Sequence, residues 1–455
     1  MRQVRDHCLA PARNRGAILA GGRYTRLFPE LPALAIGPDT QRAIGRAGGP
    51  SDGSDGSDGA NGDVPDARTV AAGRPVFGQY LAHDLTADRS PVTHHDDVEL
   101  LRNARSARLN LELLYGQGPV GHPYLYRRSD PAQLLLGQIE SGPDDDLPRN
   151  PEGIALAGDP RQDVHGLISQ LHVAMIRAHN RLVDRLRDDG VPEAGLFDAA
   201  RQSLTWHYQY VVLHDYLPET IGAEPTARLL EHGPRYFRPD GAVAIPLEFA
   251  DAAYRFGHSQ MRDRYQLQPG GPAVKLMPDL MGFGPTPADH VVSWPLLLDV
   301  PGQPPAQRAK AIEGRLPSSL IHLPIDITGA VDEDDQASLA VRDLLRGTAT
   351  GLPSGEAVAR HIGEVPLTRD EIGLAAVGWA SETPLWYYIA REAAVREDGE
   401  RLGPIGALIV GEVLLGVIDG DPSSQRSIDR GWQPTLPSRT PGQFTLSDLV
   451  YPPEP

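Results

Sequence analysis

Residues 77–86 (FGQYLAHDLT) restrict what this chain can form more than any other stretch. Read as a helix, they place Gln79 and His83 one turn apart on one face, because side chains at positions i and i+4 are neighbours. Asp84 follows at once and points about a quarter-turn away, so the helix offers polar groups to two separate sites. A surface helix with an isolated histidine shows the same pattern, and the stretch alone favours that interpretation.

Composition excludes several classes of function. The chain has 455 residues, of which 40% are hydrophobic and 23% charged, so most of it is expected to be globular. Its formal net charge of −17 argues against a nucleic-acid-binding surface and against a polybasic membrane surface. Cys8 is the only cysteine, which excludes an intrachain disulfide and a cysteine-based zinc or iron–sulfur site.

No targeting segment is evident in the sequence. The arginine-containing first fifteen residues are not followed by an apolar run of signal-peptide length. The most apolar stretch, residues 405–418, is too short to span a bilayer and contains Glu412, so a buried helix is expected there. We therefore expect no transmembrane segment and a cytoplasmic location, and we leave export without a signal and the oligomeric state open.

Composition also divides the chain into four segments. Residues 1–46 hold short apolar pieces typical of an extended arm packed on the body. Residues 47–66 contain the triplet repeat SDGSDGSDG at 51–59, which has no apolar residue to bury and predicts a flexible loop. Residues 67–424 are expected to form one folded domain, and residues 425–455 a Pro-rich tail on its surface.

From residue 74 onward the apolar residues recur mostly at helical spacing. The clearest case is a long helix over residues 167–187. Further helices are predicted over residues 199–216, ending at Pro218, and over 250–263, 335–348, 354–362, 369–380, 384–397 and 404–418. Strand signals are sparse, so we predict a mainly α fold with a single domain.

A second stretch with chemical potential, residues 105–116 (RSARLNLELLYG), offers oxygen atoms at alternate positions. They are the side-chain oxygens of Ser106, Asn110 and Glu112 and the main-chain carbonyl of Arg108. Hard cations such as Ca²⁺ bind several oxygens of this kind. Considered alone, the stretch is better explained as an ordinary polar strand or loop.

Two further residues lie where a group that faces a cavity is expected. Arg161 lies where a loop enters a helix, and an arginine there can stabilise negative charge that develops in a cavity. His258 follows Gly257, whose missing side chain leaves room for a flat group beside a candidate axial ligand. A solvated arginine and an ordinary histidine are the alternative interpretations. His172 and His179, seven residues apart, are better explained by helix–helix packing than as metal ligands.

Taken together and in this order, these stretches resemble the peroxidase–cyclooxygenase superfamily, the animal-type haem peroxidases, in its bacterial branch. The resemblance covers about residues 28–424 and includes the motifs HNR at 179–181, DLLRG at 343–347 and TPLWYY at 383–388. It implies a single-domain haem peroxidase fold over residues 67–424. It also implies an enzyme that uses hydrogen peroxide to oxidise a small organic or halide donor.

The resemblance further implies a role for each matching residue. His83 matches the distal histidine that takes a proton from peroxide, and Arg161 matches the distal arginine. Gln79 matches the residue that holds a distal water or a halide, and His258 matches the proximal ligand of the haem iron. The residues that match the calcium site are Asp84, Ser106, Arg108 through its carbonyl, Asn110 and Glu112. The cations expected to pair with haem propionates are Arg346 and Arg255.

Three departures from the family pattern change the expected cofactor chemistry. Ala82 and Val164 stand where mammalian members have carboxylates that bond covalently to haem, so we predict non-covalent haem b, although Asp163 is adjacent. Asp343 replaces the usual asparagine partner of the proximal histidine. A carboxylate that accepts the imidazole N–H makes that ligand more electron-donating, so we expect a lower reduction potential of the iron.

Two alternative functions follow from the same residues. A haem-dependent fatty-acid dioxygenase needs a radical-forming tyrosine three residues before the proximal histidine, where this chain has Arg255. Tyr254 lies one residue further back, and Tyr387 or Tyr388 could serve instead. A non-catalytic scaffold that binds haem and calcium is the other alternative, but it would need none of the polar residues assigned to peroxide chemistry.

Overall fold

The computed structural model describes residues 22–54, 64–87, 100–139, 142–143, 145–239, 242–328 and 337–453. Within these ranges the chain is mainly helical, as the sequence predicts. Nine helices of eight or more residues, labelled α1 to α9 in chain order, are Pro38–Gly45, Arg74–Leu85, Gly166–Asp188, Glu193–Val211, Ala223–His232, Leu339–Ala349, Gly355–Ile362, Leu385–Glu397 and Pro404–Asp419.

Shorter elements connect these helices in the described ranges. The short α-helices are Glu112–Tyr115, Gly118–Gly121, Leu217–Ile221, Leu247–Ala250, Ser318–Ile321, Ile325–Thr328, Arg369–Ile372, Gln425–Ile428 and Leu446–Val450. The 3₁₀ segments are Pro123–Leu125, Pro160–Asp163, Ala253–His258, Ala288–His290, Trp294–Leu296 and Ala375–Val377, and Val212–Tyr216 is a π-helical turn. The antiparallel strand pairs are Gly22–Arg23 with Arg102–Asn103, Asp66–Ala71 with Arg308–Lys310, Tyr126–Arg127 with Asp130–Leu134, and Arg264–Gln266 with Ala273–Lys275.

Helix α2 lies in the core of the molecule. Pro75 occupies its first turn, where a missing N–H costs no hydrogen bond, and the chain becomes extended at Thr86. Phe77, Tyr80 and Leu81 are completely buried. The helix contacts α3 and the two 3₁₀ segments that contain Arg161 and His258, so it holds Gln79 and His83 next to them.

Helix α3 begins and ends within one residue of the predicted span. The imidazole of His165 caps its N-terminus by accepting the backbone N–H of Ile168. The apolar face that contains Leu171 and Met175 is buried, and the helix packs against α4. The long helical repeat in the sequence therefore identified this element correctly.

Helix α9 is the buried helix expected for the most apolar stretch. Its Glu412 is buried and accepts the backbone N–H groups of Tyr236 and Phe237 at 2.6 and 2.9 Å. The Phe237 ring lies so close that a Cβ atom on Gly416 would come within 2.4 Å of it. Among the residues that the structure describes, no helix combines the length and the hydropathy required to cross a bilayer.

Three predicted helical spans are wrong. The predicted helix over 250–263 is present only as the 3₁₀ segment Ala253–His258, in which i→i+3 hydrogen bonds replace helical ones. The helix predicted to end at Pro218 is followed by a π-helical turn and another helical segment, because Pro218 lies in the first turn of Leu217–Ile221. The predicted helix over 369–380 is likewise interrupted at Gly373, whose φ of +77° ends the first segment.

The beginning of the predicted flexible loop is packed against the body. Asp52 is 2% exposed and accepts the backbone N–H groups of Gly48 and Ser54 at 2.7 and 2.9 Å. The prediction of flexibility is therefore wrong for residues 51–54, because a carboxylate that bonds to the backbone stabilises them without apolar burial. Residues 55–59 of the repeat lie outside the described residues.

Both predicted peripheral segments contact the body in the parts that are described. The backbone N–H groups of Leu27 and Phe28 donate to the buried carboxylate of Glu248. Near the other end of the chain, the helix Leu446–Val450 is buried against α3. Residues 1–21 of the predicted arm lie outside the described residues.

Candidate active site

A cleft with about 1070 Å³ of empty space collects residues from several separate parts of the chain. Of the predicted catalytic and cofactor-binding residues, those that line it are Gln79, His83, Arg161, Arg255 and His258. Most of its remaining lining is apolar and aromatic, which is typical of a small-molecule or cofactor site. Residues that are far apart in sequence thus meet at one cleft.

Arg161 is fixed by a buried carboxylate. It lies in the segment Pro160–Asp163, and Asp159 accepts its Nε and Nη2 groups at 3.0 and 2.8 Å. Its Nη2 also donates to the main-chain carbonyl of His83 at 2.9 Å. Burial would raise the pKa of Asp159, but Arg161 and Arg105 outweigh it and hold that pKa far below its usual range. The guanidinium is therefore held beside His83 by a permanent negative charge.

His83 has a partner that the sequence interpretation missed. The Nε2 atom of the Gln162 amide lies 2.9 Å from His83 Nδ1, and the Oε1 atom of this completely buried side chain has no hydrogen-bond partner among the described residues in this orientation. Oxygen and nitrogen of a glutamine amide are interchangeable in shape, so this contact can be made in two orientations. With its oxygen towards Nδ1, the amide accepts the Nδ1–H and leaves Nε2 of His83 unprotonated. With its nitrogen there, the proton resides on Nε2.

His165 is a second residue that the sequence interpretation missed. Its Nδ1 accepts the N–H of Ile168, so the neutral imidazole carries its proton on Nε2. That Nε2–H donates to Oε1 of Gln79 at 2.8 Å. The N–H groups of the Gln79 amide are thereby left for the cleft that both residues line.

The proximal candidate His258 is bonded to a buried carboxylate. Its Nδ1 lies 2.7 Å from Oδ2 of Asp343, which is fully buried, and the other oxygen of Asp343 accepts Arg255 Nη1 at 2.6 Å. Burial raises the pKa of Asp343, but His258 and Arg255 outweigh it and keep that pKa below its usual value. Asp343 is therefore ionised, and its contact with His258 is the one predicted from the sequence.

The two predicted propionate partners are placed differently. Arg255 lines the cleft, where Asp343 and Asp251 hold its guanidinium. Arg346 is not among the lining residues, and its Nε pairs with Asp251 at 3.1 Å. Arg346 therefore supports the position of Arg255 through a shared carboxylate.

The positions that bear on covalent haem attachment carry no carboxylate. Ala82 and Val164 line the cleft, and no aspartate or glutamate is among the described residues that line it. Asp163 instead pairs with Arg149 through two contacts of 2.8 Å. Its backbone and side chain also pack against Gly282. Asp163, the carboxylate adjacent to Val164, is thus paired with Arg149 and does not line the cleft.

The tyrosines relevant to oxygenase chemistry are divided between two environments. Tyr254 and Tyr216 line the cleft, and their hydroxyl oxygens are 3.4 Å apart. Tyr387 and Tyr388 do not line it, and the hydroxyl of Tyr388 accepts the backbone N–H of Leu367 at 2.7 Å. Of the tyrosines considered from the sequence, only Tyr254 is therefore close to the predicted cofactor site.

His172 and His179 on α3 are packed histidines, as preferred from the sequence. Burial lowers the pKa of His172 to about 3 and that of His179 to about 4. His179 contacts the hydroxyl of Tyr115 at 3.0 Å and the carbonyl of Ala132 at 2.8 Å. Both imidazoles are neutral and belong to the core.

The residues predicted for a calcium site lie in two elements that touch. Asp84 on α2 accepts the N–H of Leu111 at 2.9 Å. In the loop, Asn110 Nδ2 donates to Ser106 Oγ at 3.3 Å, and Glu112 accepts the N–H of Ser106 at 3.2 Å. The structure therefore brings the predicted side chains together, but it pairs them with hydrogen-bond donors of the protein.

A positive side chain also occupies this loop. Arg105 Nη1 lies 3.3 Å from Glu112 Oε1. Burial raises the pKa of Asp84 to about 7, and backbone N–H groups and Arg105 only partly oppose it. In the part of the chain that the structure describes, no group of three or more His, Cys, Asp or Glu side chains is arranged to hold a metal ion. The side chain of Arg108 points to Asp421, at 3.6 Å. In this arrangement the residues present do not fit a calcium ion.

Sequence comparison assigns the middle of the chain to a known family. Residues 92–277 match the model of the animal haem peroxidase family. Heme peroxidase 2 of Caenorhabditis elegans is 30% identical over 112 residues, which are 23% of this chain and 16% of that protein. The human protein named probable oxidoreductase PXDNL is 32% identical over 201 residues, which are 42% of this chain and 13% of that protein. The chain thus spans only a small part of the length of these relatives.

Solved structures extend the likeness to most of the chain. Peroxidase A from Dictyostelium discoideum superposes with a TM-score of 0.67 at 16% identity, covering 94% of this chain and 92% of that one. Fatty acid alpha-dioxygenase from Oryza sativa superposes with a TM-score of 0.61 at 14% identity, covering 85% and 73%. The fold is therefore that of the peroxidase–cyclooxygenase superfamily. The match of residues 92–277 to the animal haem peroxidase model agrees with the resemblance seen in the sequence motifs, and the bacterial branch stays a prediction.

Proposed function

We propose that this protein is a haem peroxidase that uses hydrogen peroxide to oxidise a small organic or halide donor. The observation that carries the proposal is that Gln79, His83, Arg161 and His258 line one cleft. If His83 and His258 were only packing residues and Arg161 only a solvated arginine, these four side chains would have no reason to line the same cleft. Fatty-acid and peroxide chemistry both occur on this fold, so the assignment depends on the site and not on the fold.

The residues present fit a haem group. The lining of the cleft is mostly apolar and aromatic, and a Cβ atom on Gly257 would meet nothing within 4 Å, so the space beside His258 is open. Nδ1 of His258 is engaged by Asp343, so Nε2 is the ring nitrogen suited to bind iron. The absence of Asp and Glu from the described lining supports non-covalent haem b.

Each polar side chain then has a definite task. Bound haem would supply the redox chemistry, while His83 accepts a proton from hydrogen peroxide at Nε2 and returns it to the departing oxygen. Arg161 stabilises the negative charge that develops on that oxygen. The N–H groups of Gln79 hold a water, a halide or a polar donor. Asp343 accepts the N–H of His258 and increases the electron donation of the imidazole.

A fatty-acid oxygenase is the second candidate, and the pair Tyr254 and Tyr216 favours it. Both phenols line the cleft and are close enough to exchange a hydrogen bond. Arg255 occupies the position three residues before His258, so this pair would have to replace the usual tyrosine. Oxygen consumption on addition of a fatty acid, lost in Tyr254→Phe, would identify this activity.

The test of the proposed function is an absorption spectrum of the protein reconstituted with haem, recorded before and after stoichiometric hydrogen peroxide. We expect a Soret band that shifts with peroxide and returns when a phenol or a halide is added. His258→Ala should weaken haem binding, whereas Arg161→Leu should retain haem and lose the response to peroxide. A haem band that ignores peroxide would favour the oxygenase or a scaffold, and a protein that binds no haem would refute the proposal.

A further inference from the structure

We propose that the guanidinium of Arg105 is a built-in cation that takes the place of calcium, and that it positions Arg161 through the shared carboxylate of Asp159. The proposal concerns how Arg161 is held in place and not which reaction the cleft catalyses. It is tested by metal content and thermal stability, which can be measured without a substrate. It would stand even if the cleft served an oxygenase.

Arg105 lies between two carboxylates. Its side chain is 6% exposed, its Nη2 lies 2.7 Å from Asp159 Oδ2, and its Nη1 lies 3.3 Å from Glu112 Oε1. The carboxylate of Asp159, which is completely buried, also holds Arg161. One guanidinium thus joins a residue predicted to bind calcium to the carboxylate that fixes the distal arginine.

The guanidinium of Arg105 carries a fixed positive charge. An arginine side chain stays protonated in proteins, so the positive charge at this position is permanent. A divalent cation bound to Glu112 would have to displace Arg105 from that carboxylate and would lie beside a fixed charge of the same sign. The guanidinium therefore competes with a metal ion for the same ligand.

Other predicted calcium ligands already make hydrogen bonds within the protein. The Oδ2 atom of Asp84 accepts the N–H of Leu111 at 2.9 Å, and the hydroxyl of Ser106 accepts the side-chain N–H of Asn110 at 3.3 Å. The first bond joins the loop to α2 and the second lies within the loop, and neither needs a metal. Calcium binding would require several of these hydrogen bonds to be exchanged for metal–oxygen bonds.

The consequence is a continuous connection from the loop to the cleft. It runs from Glu112 through Arg105, Asp159 and Arg161 to the main-chain carbonyl of His83. Arg105 touches neither the cleft nor a reacting atom, so it is a positioning residue. Removing its charge frees one side of the Asp159 carboxylate and leaves Arg161 less restrained.

The first experiment measures metal content and thermal unfolding of the purified full chain. We expect less than stoichiometric calcium by elemental analysis, and the same unfolding midpoint in a calcium chelator as in millimolar calcium chloride. Stoichiometric calcium, together with a lower midpoint in the chelator, would overturn the proposal.

The second experiment compares arginine variants. Arg105→Leu should lower the unfolding midpoint by about 5 °C, because the buried Asp159 carboxylate then keeps only one of its two arginine partners and Glu112 loses its contact with Arg105. Arg105→Lys should recover part of that loss. Arg426→Leu is the matched control, because Arg426 is also largely buried and pairs with a single carboxylate, Asp419, at 2.8 Å. Equal losses in Arg105→Leu and Arg426→Leu would contradict a special role for Arg105.

The third measurement adds calcium to Arg105→Leu. If the guanidinium replaces the metal, its removal leaves Glu112 without the Arg105 charge, and millimolar calcium should raise the midpoint of this variant but not of the parent protein. A midpoint that rises equally in both proteins would show that calcium binds beside Arg105, and the proposal would be wrong.

Discussion

Gln162 contacts Nδ1 of His83, and the orientation of its amide therefore determines which ring nitrogen of His83 carries the proton. In the proposed function, the other nitrogen, Nε2, faces the peroxide. A general base needs an unprotonated Nε2, which requires the amide oxygen of Gln162 to accept the Nδ1–H. We expect Gln162→Leu to lower kcat/KM for hydrogen peroxide about tenfold, because the tautomer is then no longer fixed. Steady-state kinetics with varied peroxide would measure this.

Gln170 provides the control for that variant. It is also buried, but its amide bonds to the backbone of Asp145 and Val292 and does not reach the cleft. Gln170→Leu should therefore change stability more than peroxide turnover. Equal kinetic losses in the two variants would show that Gln162 acts only through packing.

The hydrogen bond between His258 and Asp343 should affect the reduction potential of the proposed haem. Replacing Asp343 by Asn keeps the shape and removes the charge, so the hydrogen bond from His258 weakens by about 1 kcal/mol. Because the carboxylate stabilises the oxidised iron, the reduction potential of the haem-loaded protein should rise by about 40 mV. Asp251→Asn is the control, since Asp251 bonds to Arg255 and Arg346 but not to His258. An unchanged potential in Asp343→Asn would contradict the role of the carboxylate.

At the scale of elements, His207 on α4 contacts the backbone of the C-terminal segment. His207 Nδ1 donates to the carbonyl of Ser203 at 2.7 Å, and its Nε2 accepts the N–H groups of Thr435 and Leu436, each at 3.0 Å. Burial lowers the pKa of His207 to about 4. Protonation of Nε2 would remove both bonds to the segment.

The sign of the pH dependence follows from that pKa. Between pH 6.5 and 4 the unfolded chain binds a proton at this residue and the folded chain does not, so stability is lost as pH falls through this window. The full effect is about 3 kcal/mol. His207→Gln, which does not titrate, should unfold at a less pH-dependent midpoint. The exposed His232→Gln is the control, and equal pH profiles of parent and His207→Gln would refute the prediction.

Helices with a long apolar repeat could be predicted from the sequence, and α3, α8 and α9 lie within one or two residues of their predicted spans. The segment around His258 could not, because the hydrogen bonding there tightens to a 3₁₀ pattern where the chain packs against α2. Local periodicity reports which face is buried. It does not report how a neighbouring element reshapes a short segment.

The same limit applies to the site. Matching motifs placed Gln79, His83, Arg161 and His258 at one cleft. Gln162 and His165 were missed because their partners lie 79 and 86 positions away in the sequence. Nothing in the local pattern distinguishes a glutamine that contacts a distant histidine from one that is only buried.

At the scale of the whole molecule, the proposed haem should contribute to folding stability. A ligand that binds only the folded state stabilises it by about 2.7 kcal/mol when its free concentration is 100 times its Kd. We therefore expect haem to raise the midpoint of thermal unfolding, and His258→Ala to reduce that increase. If haem raised the midpoint of His258→Ala as much as that of the parent, the histidine would not be its ligand.

His165 combines two duties that usually belong to different residues. Its Nδ1 caps the N-terminus of α3, and its Nε2 orients the amide of Gln79 in the cleft. A serine or an asparagine there could still cap the helix but would release Gln79, whereas an alanine would lose both contacts. A substitution at position 165 must therefore satisfy both contacts. A homologue that replaced His165 to accept another reducing substrate would need a second substitution that restores the N-terminal cap of α3.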